Sequence, residues 1–272
     1  MDDIFAILNG ENVDRTMDLE KRDKRRNKVC VKSVDIKPLF KDNDDYVEAP
    51  HPNLLRMPFS LLEIAPKGSG KTVLLQNILT WYWKYFDNIF VFSPTVHLDV
   101  KWKLLIDKLQ IPPQNIFTKY DEKNLTMLMN KIKMANKGKK NKEKLRTLII
   151  FDDIIEQLPK GKKVSSLNKL AMNHRHYNIS HIIISQSFKK IDPVVRMNTT
   201  GMILFNCDNS KERFKIIEEL AGNYSKKEFE RLYIEAVSEK YSFMFLNYDN
   251  RKIFKKFDKQ IGDLNRAPEH LF

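Results

Sequence analysis

A chain of 272 residues, of which 42% are hydrophobic, is long enough to bury a core as one large domain, with or without appendages. Its net charge of +13 predicts an anionic partner, with nucleic acid the leading candidate, although a lysine-rich solvated surface gives the same charge. The two cysteines, Cys30 and Cys207, exclude a disulfide framework and fit a reducing compartment, and no apolar run approaches the length of a membrane span.

Residues 1–57 are predicted to form a basic lead-in to the core. They contain a highly charged run at 21–28 and three prolines. This run is typical of a DNA-binding arm or a nuclear-import signal, and equally of an exposed charged helix face. We place the core at 58–258 and a C-terminal tail at 259–272.

The most informative segment is 65–72, which reads Ala-Pro-Lys-Gly-Ser-Gly-Lys-Thr. It matches the phosphate-binding loop G-x-x-x-x-G-K-[ST] except at Ala65, where an ordinary backbone conformation is expected because alanine disfavours a positive φ. The apolar run Phe59–Ile64 before the loop and a helical pattern after it supply the strand–loop–helix context that the motif requires. A chance Gly/Lys-rich turn before a helix is the alternative.

The chemistry of such a loop assigns a role to each residue type. Gly68 and Gly70 let backbone N–H groups point at phosphate oxygens, and the helix N-terminus adds partial positive charge. Lys71 is expected to reach the β- and γ-phosphates, and the Thr72 hydroxyl is expected to bind magnesium. The predicted nucleotide-binding residues are Pro66, Lys67, Gly68, Ser69, Gly70, Lys71, Thr72 and Val73.

From Phe59 onward, predicted strands alternate with predicted helices, which is typical of a mainly parallel sheet with helices on both faces. The predicted strands are Phe59–Ile64, Asn88–Ser93, Thr147–Phe151, His181–Ser185 and Met202–Phe205. The predicted helices are 71–85, 98–109, 121–136, 165–176, 210–221 and 225–238. Tyr241–Tyr248 and Lys252–Phe257 are then predicted to form a hairpin at the edge of the sheet.

Leu148–Asp153 is a hydrophobic strand that ends in two carboxylates. Ligands of open α/β sheets bind at the C-terminal ends of the strands. We therefore expect Asp152 to lie beside the phosphate loop and to hold magnesium directly or through water, and Asp153 to act as general base for the attacking water. Two turn-forming aspartates that cap a strand are the alternative.

A third polar position follows the apolar strand His181–Ser185, where Gln186 is expected to sense the γ-phosphate or the lytic water. A GTPase would carry an Asn-Lys-x-Asp motif, and the nearest string, at 168–171, lacks the aspartate. The lysine-rich loop 137–146 also fits poorly with the lid of a small-molecule kinase. A further strand at Asn88–Ser93, between the phosphate-loop strand and the acidic strand, indicates the layout of RecA-like ATPases.

The sequence resembles the genome-packaging ATPases of large eukaryotic DNA viruses and virophages, which belong to the FtsK/HerA group of DNA-pumping ATPases. The resemblance covers roughly 55–257. It rests on the phosphate loop, the acidic strand, the string Asn173–Ser180 that leads into the strand before Gln186, and the later run Arg196–Phe205.

This resemblance implies a RecA-like P-loop fold, hydrolysis of ATP with Mg²⁺, a homo-oligomeric ring and translocation of double-stranded DNA into a capsid. A capsid or portal partner is also implied, at assembly sites in the host cytoplasm or nucleus or in the virion. By position, Lys71 and Thr72 bind phosphate and magnesium, Asp152 binds magnesium, Asp153 takes the catalytic-acid position and Gln186 senses the γ-phosphate. The pair Asp152–Asp153 stands where many relatives of the wider group have Asp-Glu.

Ring ATPases usually complete the site with an arginine from a neighbouring subunit, and Arg175 and Arg196 are the candidates, with Arg175 favoured. Sequence-independent grip on duplex DNA requires only lysines against phosphates. The predicted DNA-binding residues are Lys137, Lys139, Lys140, Lys142, Lys160, Lys162 and Lys163. Two other functions stay open: a different DNA-pumping or unwinding ATPase, and a DNA-associated structural protein that binds nucleotide without turnover.

Overall fold

One sheet organises the part of the protein that the computed structural model describes, which comprises residues 46–154, 157–158 and 165–267. In space the strands follow the order β3-β2-β4-β5-β1-β6-β7-β8-β9. The strands from β3 to β6 in this order pair in parallel, whereas β7, β8 and β9 are antiparallel. The strands are β1 Ser60–Ile64, β2 Asn88–Phe92, β3 Ile116–Phe117, β4 Thr147–Asp152, β5 Ile179–Ser185, β6 Gly201–Phe205, β7 Phe243–Asn247, β8 Lys252–Lys255 and β9 Lys259–Asp263.

Helices cover both faces of this sheet. Alternate residues of each strand point to opposite faces, so the core forms two apolar clusters, one on each side. α1 and α2 pack on one side, and α3, α4, α6 and α7 pack on the other. The helices are α1 Lys71–Tyr82, α2 Val100–Leu109, α3 Glu122–Asn136, α4 Ser166–Tyr177, α5 Pro193–Met197, α6 Ser210–Leu220 and α7 Lys226–Ala236.

The central strands are apolar because neither face meets water. Every residue of β1, β4 and β5 is buried, which explains why apolar residues make up most of each of these strands. Side-chain caps start the helices between them: Asp99, Asp121 and Ser165 each accept a hydrogen bond from a backbone N–H in the first turn. None of the described helices combines the length and the apolar character that a membrane-spanning segment needs.

The predicted fold class, mainly parallel and RecA-like with a C-terminal hairpin, is confirmed, with three differences. First, the strand that lies between β1 and β4 in space is β5, whereas Asn88–Phe92 lies on the far side of β4. Second, β7 and β8 form the predicted hairpin, but β9 pairs with β8 and forms the edge. Third, the short elements β3 and α5 were not predicted.

The division into a lead-in, a core and a tail stays a prediction. Most of the predicted lead-in, including the run 21–28 and Cys30, lies outside the described residues. Two observations bear on its boundaries. Val47 pairs with Met57 through backbone hydrogen bonds, and Leu54 and Leu55 belong to the core, so the last part of 1–57 packs with the core. β9 occupies residues that the sequence assigned to the tail.

Candidate nucleotide-binding site

The loop between β1 and α1 has the shape that phosphate binding requires. Gly68 and Gly70 adopt φ angles of 79° and 102°, which other residues rarely adopt, and Ala65 is not among the residues with positive φ, as the sequence predicts. Gly70 occupies the N-cap of α1, and within the described part of the chain no side chain caps this end. The free backbone N–H groups and the helix dipole therefore face an open site that suits an anion.

A buried hydroxyl group in the same loop, Ser69 Oγ, lacks a hydrogen-bond partner among the described residues. Leaving a buried polar group unsatisfied typically costs about 1–3 kcal/mol, and a phosphate oxygen would remove that cost. The loop is anchored to the sheet because the Ala65 N–H donates to the Ser185 carbonyl across 2.9 Å.

Lys71 and the acidic pair meet across the sheet, as the sequence predicts. The Lys71 ammonium lies 3.6 Å from Asp152 Oδ1 and donates a hydrogen bond to Asp153 Oδ2. Burial lowers the pKa of Lys71, but the attraction of Asp152 and the hydrogen bond to Asp153 outweigh it, so the pKa lies above its ordinary value. Lys71 is therefore a full cation at neutral pH.

Asp152 is held in a fixed orientation by two donors. Its Oδ2 accepts a hydrogen bond of 3.1 Å from the Ser93 hydroxyl and one of 2.9 Å from the indole N–H of Trp102. Its Oδ1 is left to face Lys71. Ser93 follows β2 and Trp102 lies in α2. These two residues therefore orient the carboxylate of Asp152 toward the phosphate loop.

Asp153 has a backbone conformation that turns its side chain back toward the loop. Its φ is 52°, in the left-handed region that aspartate tolerates better than most residues. Its Oδ2 accepts both from Lys71 and from Gln186, whose amide nitrogen lies 3.1 Å away. The three predicted residues Lys71, Asp153 and Gln186 thus form one hydrogen-bonded group at the C-terminal ends of β1, β4 and β5.

A carboxyl group that the sequence reasoning missed lies beneath this group. Glu63 of β1 is completely buried, and among the described residues neither of its oxygens has a hydrogen-bond partner. It shares a register with Ile184 of β5, which in turn pairs with Asp152, so both carboxylates project from the same face of the sheet. Burial, followed by repulsion from Asp152, holds the pKa of Glu63 well above its ordinary value.

This pKa shift predicts a pH-dependent stability difference for Glu63→Gln. A carboxyl group whose pKa is raised in the folded state contributes its full stabilisation below the unfolded-state pKa, which is about 4.5. This stabilisation is lost as the pH rises from the unfolded-state pKa through the folded-state pKa. Since glutamine does not titrate, the variant should gain stability relative to wild type by up to about 1.4 kcal/mol per pH unit within that window. Urea unfolding of both proteins from pH 5 to pH 8 measures the difference.

The control for this experiment is Glu218→Gln, because Glu218 is exposed and its hydrogen bond with Lys215 lowers its pKa. That variant should show no relative gain as the pH rises. A difference between Glu63→Gln and wild type that stays constant from pH 5 to pH 8 would mean that Glu63 remains ionised in the fold.

The residues present fit a magnesium ion chemically. Mg²⁺ prefers oxygen ligands and is usually held by one or two protein carboxylates together with nucleotide phosphates. Thr72 offers a hydroxyl in the first turn of α1, and Asp152 offers Oδ1, the oxygen that Ser93 and Trp102 leave free.

The two candidate arginines do not join this site within one chain. Arg196 is largely buried and binds both carboxylate oxygens of Glu219, at 2.7 and 2.8 Å, while also donating to the carbonyls of Phe188 and Ile191. Its role in the fold is therefore structural. Arg175 lies in α4 just before β5 begins. It is therefore at the N-terminal ends of the parallel strands, whereas the phosphate loop is at their C-terminal ends, roughly 20 Å away along the strand. A role for Arg175 in a neighbouring subunit stays a prediction.

The predicted DNA-binding lysines are only partly described. Four of them are exposed in the segment between α3 and β4, at the end of the sheet where the parallel strands begin and opposite the phosphate loop: Lys137, Lys139, Lys140 and Lys142. Lys160, Lys162 and Lys163 lie outside the described residues.

The family model described as Poxvirus A32 protein matches residues 46–246. Variola virus DNA packaging protein OPG160 is 28% identical over 155 residues, which cover 57% of this chain and 55% of that protein. An uncharacterised protein of Acanthamoeba polyphaga mimivirus is 25% identical over 207 residues, which cover 74% of this chain and 70% of that one. The chain thus spans only about half the length of the poxvirus relatives.

Solved structures share the fold at low sequence identity. B204, the DNA-packaging ATPase of Sulfolobus turreted icosahedral virus, gives a TM-score of 0.53 at 16% identity over 72% of this chain and 96% of that one. The pCW3 conjugation coupling protein TcpA, solved with ATPγS, gives a TM-score of 0.51 at 16% identity over 77% of this chain and 62% of that one. Both likenesses concern the architecture of the sheet and its helices.

Proposed function

The chain belongs to the poxvirus A32 protein family, and from this premise we propose that it is an ATP-hydrolysing motor that moves double-stranded DNA into a viral capsid. The observation that carries the proposal is the meeting of Lys71 with Asp152 and Asp153 at the uncapped N-terminus of α1. The name of the variola relative, a DNA packaging protein, and that of B204, a DNA-packaging ATPase, support the same function.

Nucleotide binding would begin with an exchange of partners at Lys71. In the structure its ammonium is neutralised by the two aspartates. A triphosphate placed against the N-terminus of α1 would compete for that ammonium, while the backbone N–H groups and Ser69 Oγ bind the remaining oxygens. Thr72 and Asp152 would hold magnesium, which neutralises phosphate charge when bound.

Hydrolysis would then use the carboxylate that the exchange releases. Once Lys71 turns to phosphate, the amide of Gln186 is the one partner that Asp153 Oδ2 retains among the described residues. A carboxylate in that state can accept a proton from a water molecule, and Gln186 can orient the same water. In this proposal, nucleotide binding makes the base available, and the shared oxygen Asp153 Oδ2 supports that link.

The partners and the compartment follow from the packaging function. We assign duplex DNA as the polymer, a homo-oligomeric ring as the assembly and a capsid or portal component as the dock, at sites of virus assembly in the infected cell. In such a ring, Arg175 would approach a neighbouring nucleotide.

The decisive experiment is ATP hydrolysis measured with and without duplex DNA, together with the mass of the assembly. A motor should show hydrolysis that rises when DNA is added and an oligomeric mass under the same conditions. Nucleotide binding without turnover, with or without DNA, would instead favour the DNA-associated structural protein.

Replacing Lys137, Lys139, Lys140 and Lys142 together by alanine should weaken DNA binding and flatten its salt dependence. Each phosphate that a lysine neutralises contributes a slope of about 0.9 to the plot of log K against log salt concentration for duplex DNA, so the slope should fall by roughly that amount for each phosphate left without its lysine. Binding to duplex DNA between 50 and 200 mM salt measures it.

The control carries alanine at Lys211, Lys215, Lys226 and Lys227, on α6 and α7, and removes the same formal charge from two other helices. Equal slopes in the two variants would show that the lysines at 137–142 act only through net charge.

A further inference from the structure

An aromatic side chain from a distant part of the chain lies against the phosphate loop. A Cβ atom built on Gly70 would lie 3.2 Å from Cδ1 of Tyr241, so this ring stands beside the N-cap of α1 and leaves little room there for a side chain. Tyr241 belongs to the segment between α7 and β7, and nothing in its local sequence marks it as part of a nucleotide site. The fold brings it there because β6 pairs with both β1 and β7.

Two properties of Tyr241 point to a ligand. Its φ is 62°, a left-handed conformation that costs energy for a residue other than glycine and that tends to occur at functional sites. The residue is 56% exposed although it stands beside a cavity, and large aromatic groups are normally buried. The Lys240 ammonium lies 4.9 Å from the ring centroid, so the ring is already in contact with a cation.

The cavity next to this ring begins at the phosphate loop. It has a volume of about 530 Å³ and continues from Gly68–Thr72 to a wall formed by Val73, Phe205, Tyr241 and Phe243, with Asn77 and Lys101 as polar groups. This size, and the combination of apolar walls with few polar groups, is typical of sites for small organic ligands. A smaller depression on the same loop, of about 320 Å³, also includes Tyr241 and adds Asn206 and Asp208.

We infer that Tyr241 is the stacking platform for the purine base of the bound nucleoside triphosphate, and that the cavity of about 530 Å³ holds the nucleoside part. This inference rests on the proposed function, since it concerns the other end of the same nucleotide. The phosphates bind at the N-terminus of α1, and the base packs on the exposed face of an aromatic ring that lines the same cavity as that terminus. Stacking on one ring tolerates either purine, because every base presents a π-face.

The test compares ATP with inorganic tripolyphosphate, which has the phosphates but no base, by calorimetric titration. Tyr241→Ala should weaken ATP binding by about 5- to 150-fold, the range that loss of a base–aromatic stack produces, and should leave tripolyphosphate binding unchanged. Tyr241→Phe should bind both ligands as the wild type does. Phe214→Ala, which truncates another exposed aromatic side chain, on α6, is the matched control and should change neither affinity.

Each other outcome overturns the inference. Equal weakening of ATP and tripolyphosphate would mean that Tyr241 only shapes the loop around Gly70, and tighter binding of both would mean that the ring obstructs the phosphate site. Unchanged ATP binding in Tyr241→Ala would place the base elsewhere. The proposed function fails separately, if Lys71→Ala binds ATP and tripolyphosphate as tightly as the wild type does.

Discussion

Lys71→Ala should lower DNA-stimulated ATP hydrolysis by about 10²- to 10³-fold, the loss typical when one preorganised donor to a developing negative charge is removed. The ammonium is positioned by Asp152 and Asp153 before nucleotide arrives, and it is a full cation because these carboxylates raise its pKa. Alanine removes this charge and also leaves both aspartates without their cation. The remaining repulsion between the carboxylates and the triphosphate should weaken nucleotide binding as well.

The measurement is steady-state phosphate release at saturating DNA, combined with a nucleotide-binding titration. The matched control is Lys227→Ala, which removes one exposed lysine charge from α7 and should retain wild-type hydrolysis. Hydrolysis by Lys71→Ala at the wild-type rate would show that the turnover comes from a contaminant or from another site, and the proposed function would then fail.

The phosphate loop and the acidic strand were predictable because each is written in consecutive residues. A glycine-rich turn between an apolar run and a helix specifies its own geometry, and an apolar strand ending in carboxylates specifies a buried strand with acids at its C-terminal end. The parallel arrangement of β1, β4 and β5 then brings Lys71, Asp153 and Gln186 together. The family resemblance, which rests on these segments, is confirmed by the family model that matches residues 46–246 and by the variola virus relative.

The residues that the sequence did not reveal act through long-range contacts. Trp102 reaches Asp152 across 50 positions of the chain, and its indole N–H has no local signal that distinguishes it from a core tryptophan. Glu63 lies between two apolar residues of β1, which was the one available sign that a buried carboxyl group lies beside the loop. An edge strand needs to bury only one face, so the polar sequence of β9 resembled a tail rather than a strand.

Asp153→Asn is expected to separate catalysis from binding more cleanly than any other substitution in the site. Asparagine tolerates the left-handed conformation of Asp153 as well as aspartate does, so the backbone at φ 52° should be preserved. The amide cannot accept a proton from water, and loss of a general base typically lowers kcat by about 10²- to 10⁴-fold. The substitution also removes the carboxylate that binds Lys71 most closely, which frees the ammonium for phosphate.

Asp153→Asn should therefore bind ATP at least as tightly as wild type while hydrolysing it far more slowly, a combination that single-turnover kinetics and a binding titration resolve. Asp107→Asn, at an exposed position of α2, removes the same charge outside the site and should alter neither quantity. If affinity and kcat fell together, Asp153 would hold magnesium rather than activate water. If both were unchanged, the base would have to be another group, and the ion pair with Lys71 would have no part in turnover. The predicted opposition between the two effects arises because one oxygen, Asp153 Oδ2, serves as the counter-ion of Lys71 before nucleotide binds and as the base afterwards.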